Sequence, residues 1–157
     1  MSKTKKILFT ILAIVIIAQF FGPKKNHGDK SKVNAFYAET NPPEAVKITL
    51  SESCFDCHSD YTEYPAYNHI TPVNYYLASH INEAKEHLNF SEWNTYSNKK
   101  KAKKIEHIAK SVTEGWMPLD SYQWMHPRAN LTSDQVAAVT DWTKRMTVKY
   151  NMGSQPQ

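Results

Sequence analysis

Glycine, cysteine and excess charge of either sign are all scarce in this sequence of 157 residues. Four residues are glycine and eight are proline, and no internal repeat is visible, so nothing indicates a low-complexity chain. The net charge of +4 comes from lysines near the N-terminus, since residues 33–157 carry 12 basic and 14 acidic side chains. This near-neutral balance argues against nucleic acid as a partner.

The two cysteines of the chain stand together in one motif, Cys54-Phe55-Asp56-Cys57-His58. This is the C-x-x-C-H pattern by which a c-type haem is attached. Two thiols separated by two residues can each add to one vinyl group of a haem, and the histidine that follows is delivered under the iron. The motif therefore predicts one covalent haem, with Cys54 and Cys57 as tethers and His58 as an axial ligand.

Two other kinds of site use the same cysteine spacing. A zinc site would need a fourth ligand such as His69 or His80, although structural zinc more often takes a second, distant pair of ligands. A thioredoxin-like redox site would place the cysteines at a strand-to-helix junction of an α/β fold. Because the chain has helical patterns throughout, we favour haem over both alternatives.

Residues 1–23 have the pattern of a targeting segment. Lysines precede an uncharged run of fifteen residues, from Ile7 to Phe21, which Gly22-Pro23 ends. The small residues that signal peptidase requires do not follow this run, so we expect an uncleaved transmembrane signal anchor rather than a cleaved signal peptide. The anchor would make the membrane a partner and hold the haem domain on the periplasmic side of the cytoplasmic membrane.

Composition divides the rest of the chain into three parts. Residues 24–43 are polar and end in two prolines, which predicts a linker. Residues 44–148 carry helical periodicity and predict one all-α haem-binding domain, and residues 149–157 are expected to form a disordered tail. Within the domain, one helix should follow Thr71-Pro72, and Thr132 with Gln135 matches a capping box at the start of the last helix.

The second axial ligand of the iron is predicted just beyond Gly115, which marks the end of a helix. Met117 lies directly before Pro118, and the proline restricts both residues to a stiff loop. A thioether sulfur opposite an imidazole suits haem iron and raises the reduction potential relative to two nitrogen ligands. His80, on the expected buried face of its helix, and His126 are the alternatives.

The order of these features resembles the class I cytochrome c layout. A closer resemblance is to the haem-binding domain family of small, membrane-anchored bacterial proteins, and it covers roughly residues 35–146. Five stretches carry it: Cys54 to His58, Tyr64-Pro65, Ile70-Thr71-Pro72-Val73, Leu88-Asn89-Phe90-Ser91-Glu92-Trp93 and Met117-Pro118-Leu119. The resemblance implies a small cytochrome c-like helical domain around one covalent haem c and its iron.

Three functions are compatible with such a chain. An electron carrier would use a haem ligated by His58 and Met117 to pass electrons between membrane and periplasmic redox partner proteins. A haem enzyme such as a peroxidase would need an open or displaceable ligand position, with His80 or His126 to polarise peroxide, and a haem-based sensor would need an output domain. One haem motif and no following domain favour the carrier over a catalyst or sensor. A run of five lysines between Lys99 and Lys104 is either a docking surface, for an acidic redox partner or the anionic membrane surface, or a solvated helix face or turn.

Overall fold

The computed structural model describes residues 2–152, in which eight α-helices are joined by turns and short 3₁₀ helices. The helices are α1 (Lys3–Ala18), α2 (Val33–Thr40), α3 (Glu44–Ser53), α4 (Phe55–His58), α5 (Val73–His87), α6 (Asn98–Thr113), α7 (Asp120–Met125) and α8 (Ser133–Met152). The 3₁₀ helices are Lys30–Lys32, Ala66–His69, Phe90–Thr95 and Pro127–Ala129. The predicted all-α fold is therefore confirmed.

The N-terminal helix is shorter than the predicted anchor. α1 covers 16 residues and ends at Ala18, because the next three N–H groups bond three residues back and tighten the chain into a turn. At 1.5 Å per residue it is about 24 Å long, less than the roughly 30 Å hydrocarbon core of a bilayer. Among residues 2–152, no helix combines the length and the apolar character needed to cross a membrane. The predictions of a transmembrane anchor in residues 1–23, and of a single-pass membrane location with the domain on the periplasmic side, are wrong.

The segment predicted as a linker, residues 24–43, packs into the domain instead. It contains α2, whose Phe36 is fully buried. The Phe36 ring makes edge contacts with Phe90, Trp93 and Trp142 at centroid distances of 4.7, 5.0 and 5.9 Å. One large apolar side chain in a mainly polar stretch is enough to bring that stretch into the core.

Upstream of α2, residues 26–28 run antiparallel to residues 60–62, just after the cysteine motif. The Gly28 N–H donates to the Asp60 carbonyl at 2.7 Å, and the Thr62 N–H donates to the Asn26 carbonyl at 3.0 Å. A Cβ atom at position 28 would lie 2.7 Å from the Asp60 carbonyl oxygen, so this close approach requires glycine. Residues 26–28 thus form a short strap that holds the chain segment that follows the cysteine motif.

The core is centred on α6 and α8, which pack along each other. Buried residues at three- and four-residue spacing on α6 face the buried Val139 and Trp142 of α8. The capping box at the start of α8 is confirmed, since the Thr132 N–H donates to Gln135 Oε1 at 2.9 Å and the Gln135 N–H donates to Thr132 Oγ1 at 3.2 Å. α8 is helical through residues 149–152, and the rest of the expected tail lies outside the described residues.

Three lysines of the run on α6 contribute to the fold. Lys101 is buried and forms an ion pair with Glu39 of α2 at 2.7 Å. Lys100 lies over the Tyr96 ring at 4.3 Å, and Lys104 donates to the His87 carbonyl. The run is therefore not a uniform docking surface.

Candidate haem site

The cysteine motif folds as a single helical turn, α4. The N–H groups of Cys57 and His58 both donate to the Cys54 carbonyl, at 3.2 and 2.9 Å. Residues three and four apart lie towards one face of a helix, and the Cys54 and Cys57 thiols are close enough to interact electrostatically. Both cysteines are free. This donor set fits a haem held by two thioethers with an imidazole beside them.

Both thiols stay protonated at neutral pH. Burial raises the pKa of the Cys54 thiol to about 12 and the pKa of the Cys57 thiol to about 11. Within residues 2–152, no three His, Cys, Asp or Glu side chains come together, so the zinc alternative with His69 or His80 gains no support.

The two residues between the cysteines anchor the turn to other parts of the fold. The Phe55 ring packs on Phe90 and Tyr37, at centroid distances of 5.0 and 5.7 Å. The Asp56 carboxylate accepts a hydrogen bond from the Tyr122 hydroxyl of α7 at 2.8 Å, and a second from the Glu63 N–H at 3.1 Å. The motif is therefore tied both to the core and to α7.

The imidazole of His58 is held in one orientation. Its Nδ1 lies 3.0 Å from the carbonyl oxygen of Leu88, the residue that ends α5 in extended conformation. A carbonyl only accepts, so Nδ1 carries the proton and Nε2 keeps its lone pair. Burial lowers the pKa of His58, and the hydrogen bond to the Leu88 carbonyl only partly offsets this effect. The ring is therefore neutral at pH 7, as an iron ligand requires.

A charged cluster surrounds Asp60, two residues beyond His58. Partial burial raises the pKa of its carboxyl group, but hydrogen bonds from Lys85, Asn89 and Lys32 outweigh this and lower the pKa to about 2.

Sequence reasoning missed the roles of Asp56, Asp60 and Asn89. The one available signal was that Asn89 belongs to the block shared with the haem-binding domain family.

The loop that carries Met117 follows the predicted end of α6. Gly115 has a φ of +73°, and the N–H groups of Trp116 and Met117 both bond to the Ser111 carbonyl, at 3.2 and 3.3 Å. Met117 is partly buried, and the Pro118 that follows is buried. The helix end at Gly115 is confirmed, whereas iron ligation by Met117 stays a prediction.

The two alternative ligands lie on other elements. His80 is on α5, with its ring centroid 4.1 Å from that of Tyr76 and Nδ1 2.9 Å from the Tyr76 carbonyl oxygen. The predicted buried face of α5 is wrong, because this helix buries Asn74 and Ile81 and leaves Tyr76 exposed.

His126 follows α7 and stacks on Tyr122, with ring centroids 4.1 Å apart and planes 19° apart. Its Nδ1 lies 3.1 Å from the Tyr122 carbonyl oxygen. A cavity of about 830 Å³ opens beside it, on the side of α4 that carries Phe55 and Asp56. The thiols and His58 are not among the residues that line this cavity.

Comparison with known proteins agrees with this geometry. The sequence profile described as a haem-binding domain matches residues 13–145, which include the motif, the block around Asn89 and Met117. No curated protein and no solved structure matches the chain. Because the profile covers most of the chain, the protein belongs to the haem-binding domain family, and its cofactor is haem.

Proposed function

We propose that this chain is a c-type cytochrome that carries electrons between redox partner proteins on one covalently bound haem. Cys54 and Cys57 would form the two thioether bonds, and His58 and Met117 would bind the iron. The proposal is carried by the C-x-x-C-H turn, where both cysteines are free and the contact of His58 Nδ1 with the Leu88 carbonyl leaves Nε2 available.

Attachment needs no oxidant or reductant. Each protonated thiol adds across one vinyl double bond, so its sulfur goes to one carbon and its hydrogen to the other. Once bound, the haem supplies one-electron chemistry, with its potential adjusted by the axial ligands and by the polarity of its surroundings.

Exposed apolar side chains lie on two segments that are tied to the motif. Ile70 precedes α5, Val73 and Tyr76 lie in its first turns, and the opposite end of this helix contacts His58 through the Leu88 carbonyl. Trp116 and Leu119 lie in the loop before α7, which is tied to the motif through the hydrogen bond between Tyr122 and Asp56. Such side chains can cover the flat faces of a haem and exclude water from the iron.

Replacement of Met117 tests the carrier against an enzyme or a sensor. The native haem protein is expected to be low-spin, to bind no carbon monoxide, and to show the ferric charge-transfer band that reports a bond between iron and methionine sulfur. Met117→Ala should abolish that band, lower the reduction potential and open the iron to carbon monoxide. Met125→Ala, which changes an exposed methionine of α7, should alter none of these properties.

Two results would count against the proposal. An unchanged band and potential in Met117→Ala would show that another residue, with His80 and His126 as the first candidates, binds the iron. Binding of carbon monoxide by the unaltered protein would indicate an open ligand position, as an enzyme or a sensor needs.

A further inference from the structure

Hydrogen bonds link the chain just after the motif to the chain just after α5. The Asn89 side-chain amide donates to Asp60 Oδ1 at 2.8 Å, and the Asp60 N–H donates to Ser91 Oγ at 2.9 Å. Asn89 Oδ1 also accepts from the Ser91 N–H at 3.0 Å. Residues 60, 89 and 91 therefore form one connected unit.

This unit closes a ring that contains the imidazole. His58 and Asp60 are two residues apart, Leu88 and Asn89 are neighbours, and the His58 Nδ1 contacts the Leu88 carbonyl at 3.0 Å. The ring of covalent and hydrogen bonds thus fixes the position of the Leu88 carbonyl relative to His58. Leu88 lies at the helix end, so α5 offers its carbonyl no N–H partner of its own.

Neighbouring residues support this closed circuit of bonds and balance the charge of the Asp60 carboxylate. Asn89 is almost fully buried, and its backbone N–H donates to the Tyr96 hydroxyl at 3.1 Å. Lys85 and Lys32 approach the Asp60 carboxylate at 2.9 and 3.1 Å and balance its charge. The Asp60 carboxylate is therefore not left partly buried without a counter-charge, which would destabilise the fold.

We propose that Asp60 and Asn89 are positioning residues for His58, and that they hold the Leu88 carbonyl where it fixes the imidazole with Nδ1 protonated and Nε2 directed to iron. The inference rests on the proposed role of His58 as the iron ligand. Partners behind a metal-binding histidine orient the ring and raise its basicity, and their loss typically weakens metal binding about 10- to 100-fold.

The first test uses the full chain with Cys54→Ser and Cys57→Ser, prepared without haem. Nitrogen NMR of His58 in this background should show the neutral ring protonated mainly at Nδ1. Adding Asn89→Ala should shift the ring towards the tautomer protonated at Nε2, and haem titration should show an affinity about 10- to 100-fold lower. Ser91→Ala, a milder change in the same unit, should shift both readouts less and in the same direction.

The second test uses the protein with its haem attached. Loss of a hydrogen bond from Nδ1 makes the imidazole a poorer donor to ferric iron, so Asn89→Ala should raise the reduction potential. Glu39→Gln is the control for a general loss of stability, because it weakens the buried ion pair with Lys101 and removes no hydrogen bond of residues 58, 60, 88, 89 or 91. This variant should lose stability but keep the tautomer, the haem affinity and the potential of its parent.

Unchanged tautomer, affinity and potential in a folded Asn89→Ala or Ser91→Ala variant would overturn the inference. A failure of the proposed function would look different. If His58→Ala bound haem as tightly as its parent, His58 would not be the ligand, whereas the tautomer of the chain without haem would still respond to Asn89→Ala.

Discussion

At the scale of single residues, Phe55 and Asp56 show what the two variable positions of the C-x-x-C-H motif can do. Phe55 enters the aromatic cluster, while Asp56 binds the hydroxyl of Tyr122 and the N–H of Glu63. Cys54 packs against the same hydrophobic core as Phe55. Asp56 also connects the motif to the segment that follows Met117.

The hydrogen bond between Tyr122 and Asp56 should contribute measurably to stability. Tyr122→Phe removes the hydroxyl, which lies 2.8 Å from the carboxylate, and should lower the free energy of unfolding by about 1–2 kcal/mol. Urea denaturation of the parent and the variant measures this difference. Tyr75→Phe, at an exposed position of α5, should change it by less than about 0.5 kcal/mol. Equal stability of the Tyr122 variant and its parent would contradict the assigned role.

The motif residues stand out in the sequence because their proposed chemistry depends on local spacing. Cys54, Cys57 and His58 are close in sequence, and any helical turn puts them on one face. The partners of Asp56 and Asp60 are distant in sequence, at Tyr122 and Asn89, so no local pattern identifies them. Only the folded chain brings these pairs together.

At the scale of helices, ends were easier to predict than faces. The start of α8 depends on the side chains of Thr132 and Gln135, and the end of α6 depends on the φ of Gly115, so both signals are local. The buried face of α5 depends on what packs against it. The face expected to be buried carries His80, but the protein interior meets the side that carries Ile81.

α2 was missed because it lies within residues 24–43, a mostly polar stretch that ends in two prolines. Phe36→Ala tests whether this helix belongs to the domain, and it should lower the free energy of unfolding by about 3–5 kcal/mol through loss of a fully buried ring. Phe20→Ala, at a highly exposed position, is the control and should have little effect. A similarly small effect of Phe36→Ala in chemical denaturation would indicate that residues 33–40 are a linker and do not stabilise the domain.

At the scale of the whole molecule, the motif turn lies between two parts of the fold. Phe55 joins it to the core of α2, α6 and α8, α5 packs beside it, and Tyr122 of α7 donates a hydrogen bond to Asp56. The strap of residues 26–28 holds the chain that leaves the turn. A short turn with few contacts of its own is thus immobilised by elements from most of the sequence.

Partly buried tyrosines make the fold sensitive to alkaline pH. Burial raises the pKa of Tyr37 to about 12, and the acidic groups of Glu44 and Cys54 add to the effect. The folded chain therefore binds this proton more tightly than the unfolded chain, whose tyrosines titrate near pH 10. The contribution of the neutral Tyr37 side chain to stability is fully present below about pH 10 and is lost as the pH rises towards about 12.

Urea denaturation at increasing alkaline pH measures this loss. Tyr37→Phe cannot ionise at this position, so its stability should fall less steeply than that of the parent over the same range. Burial likewise raises the pKa of Tyr150, so part of the dependence should remain in the variant. Identical slopes in the two proteins would show that Tyr37 does not contribute.

The central claim is that Cys54 and Cys57 hold the haem covalently. The pyridine haemochrome spectrum tests it most directly, because saturation of the two vinyl groups shifts the visible bands relative to those of free haem. We predict one haem per chain, with the spectrum of two thioether bonds, which stays with the protein in acidified organic solvent. In the Cys54→Ser, Cys57→Ser chain the haem should be fully extractable. A native chain whose haem has both vinyl groups intact and is removed by the solvent would contradict the account.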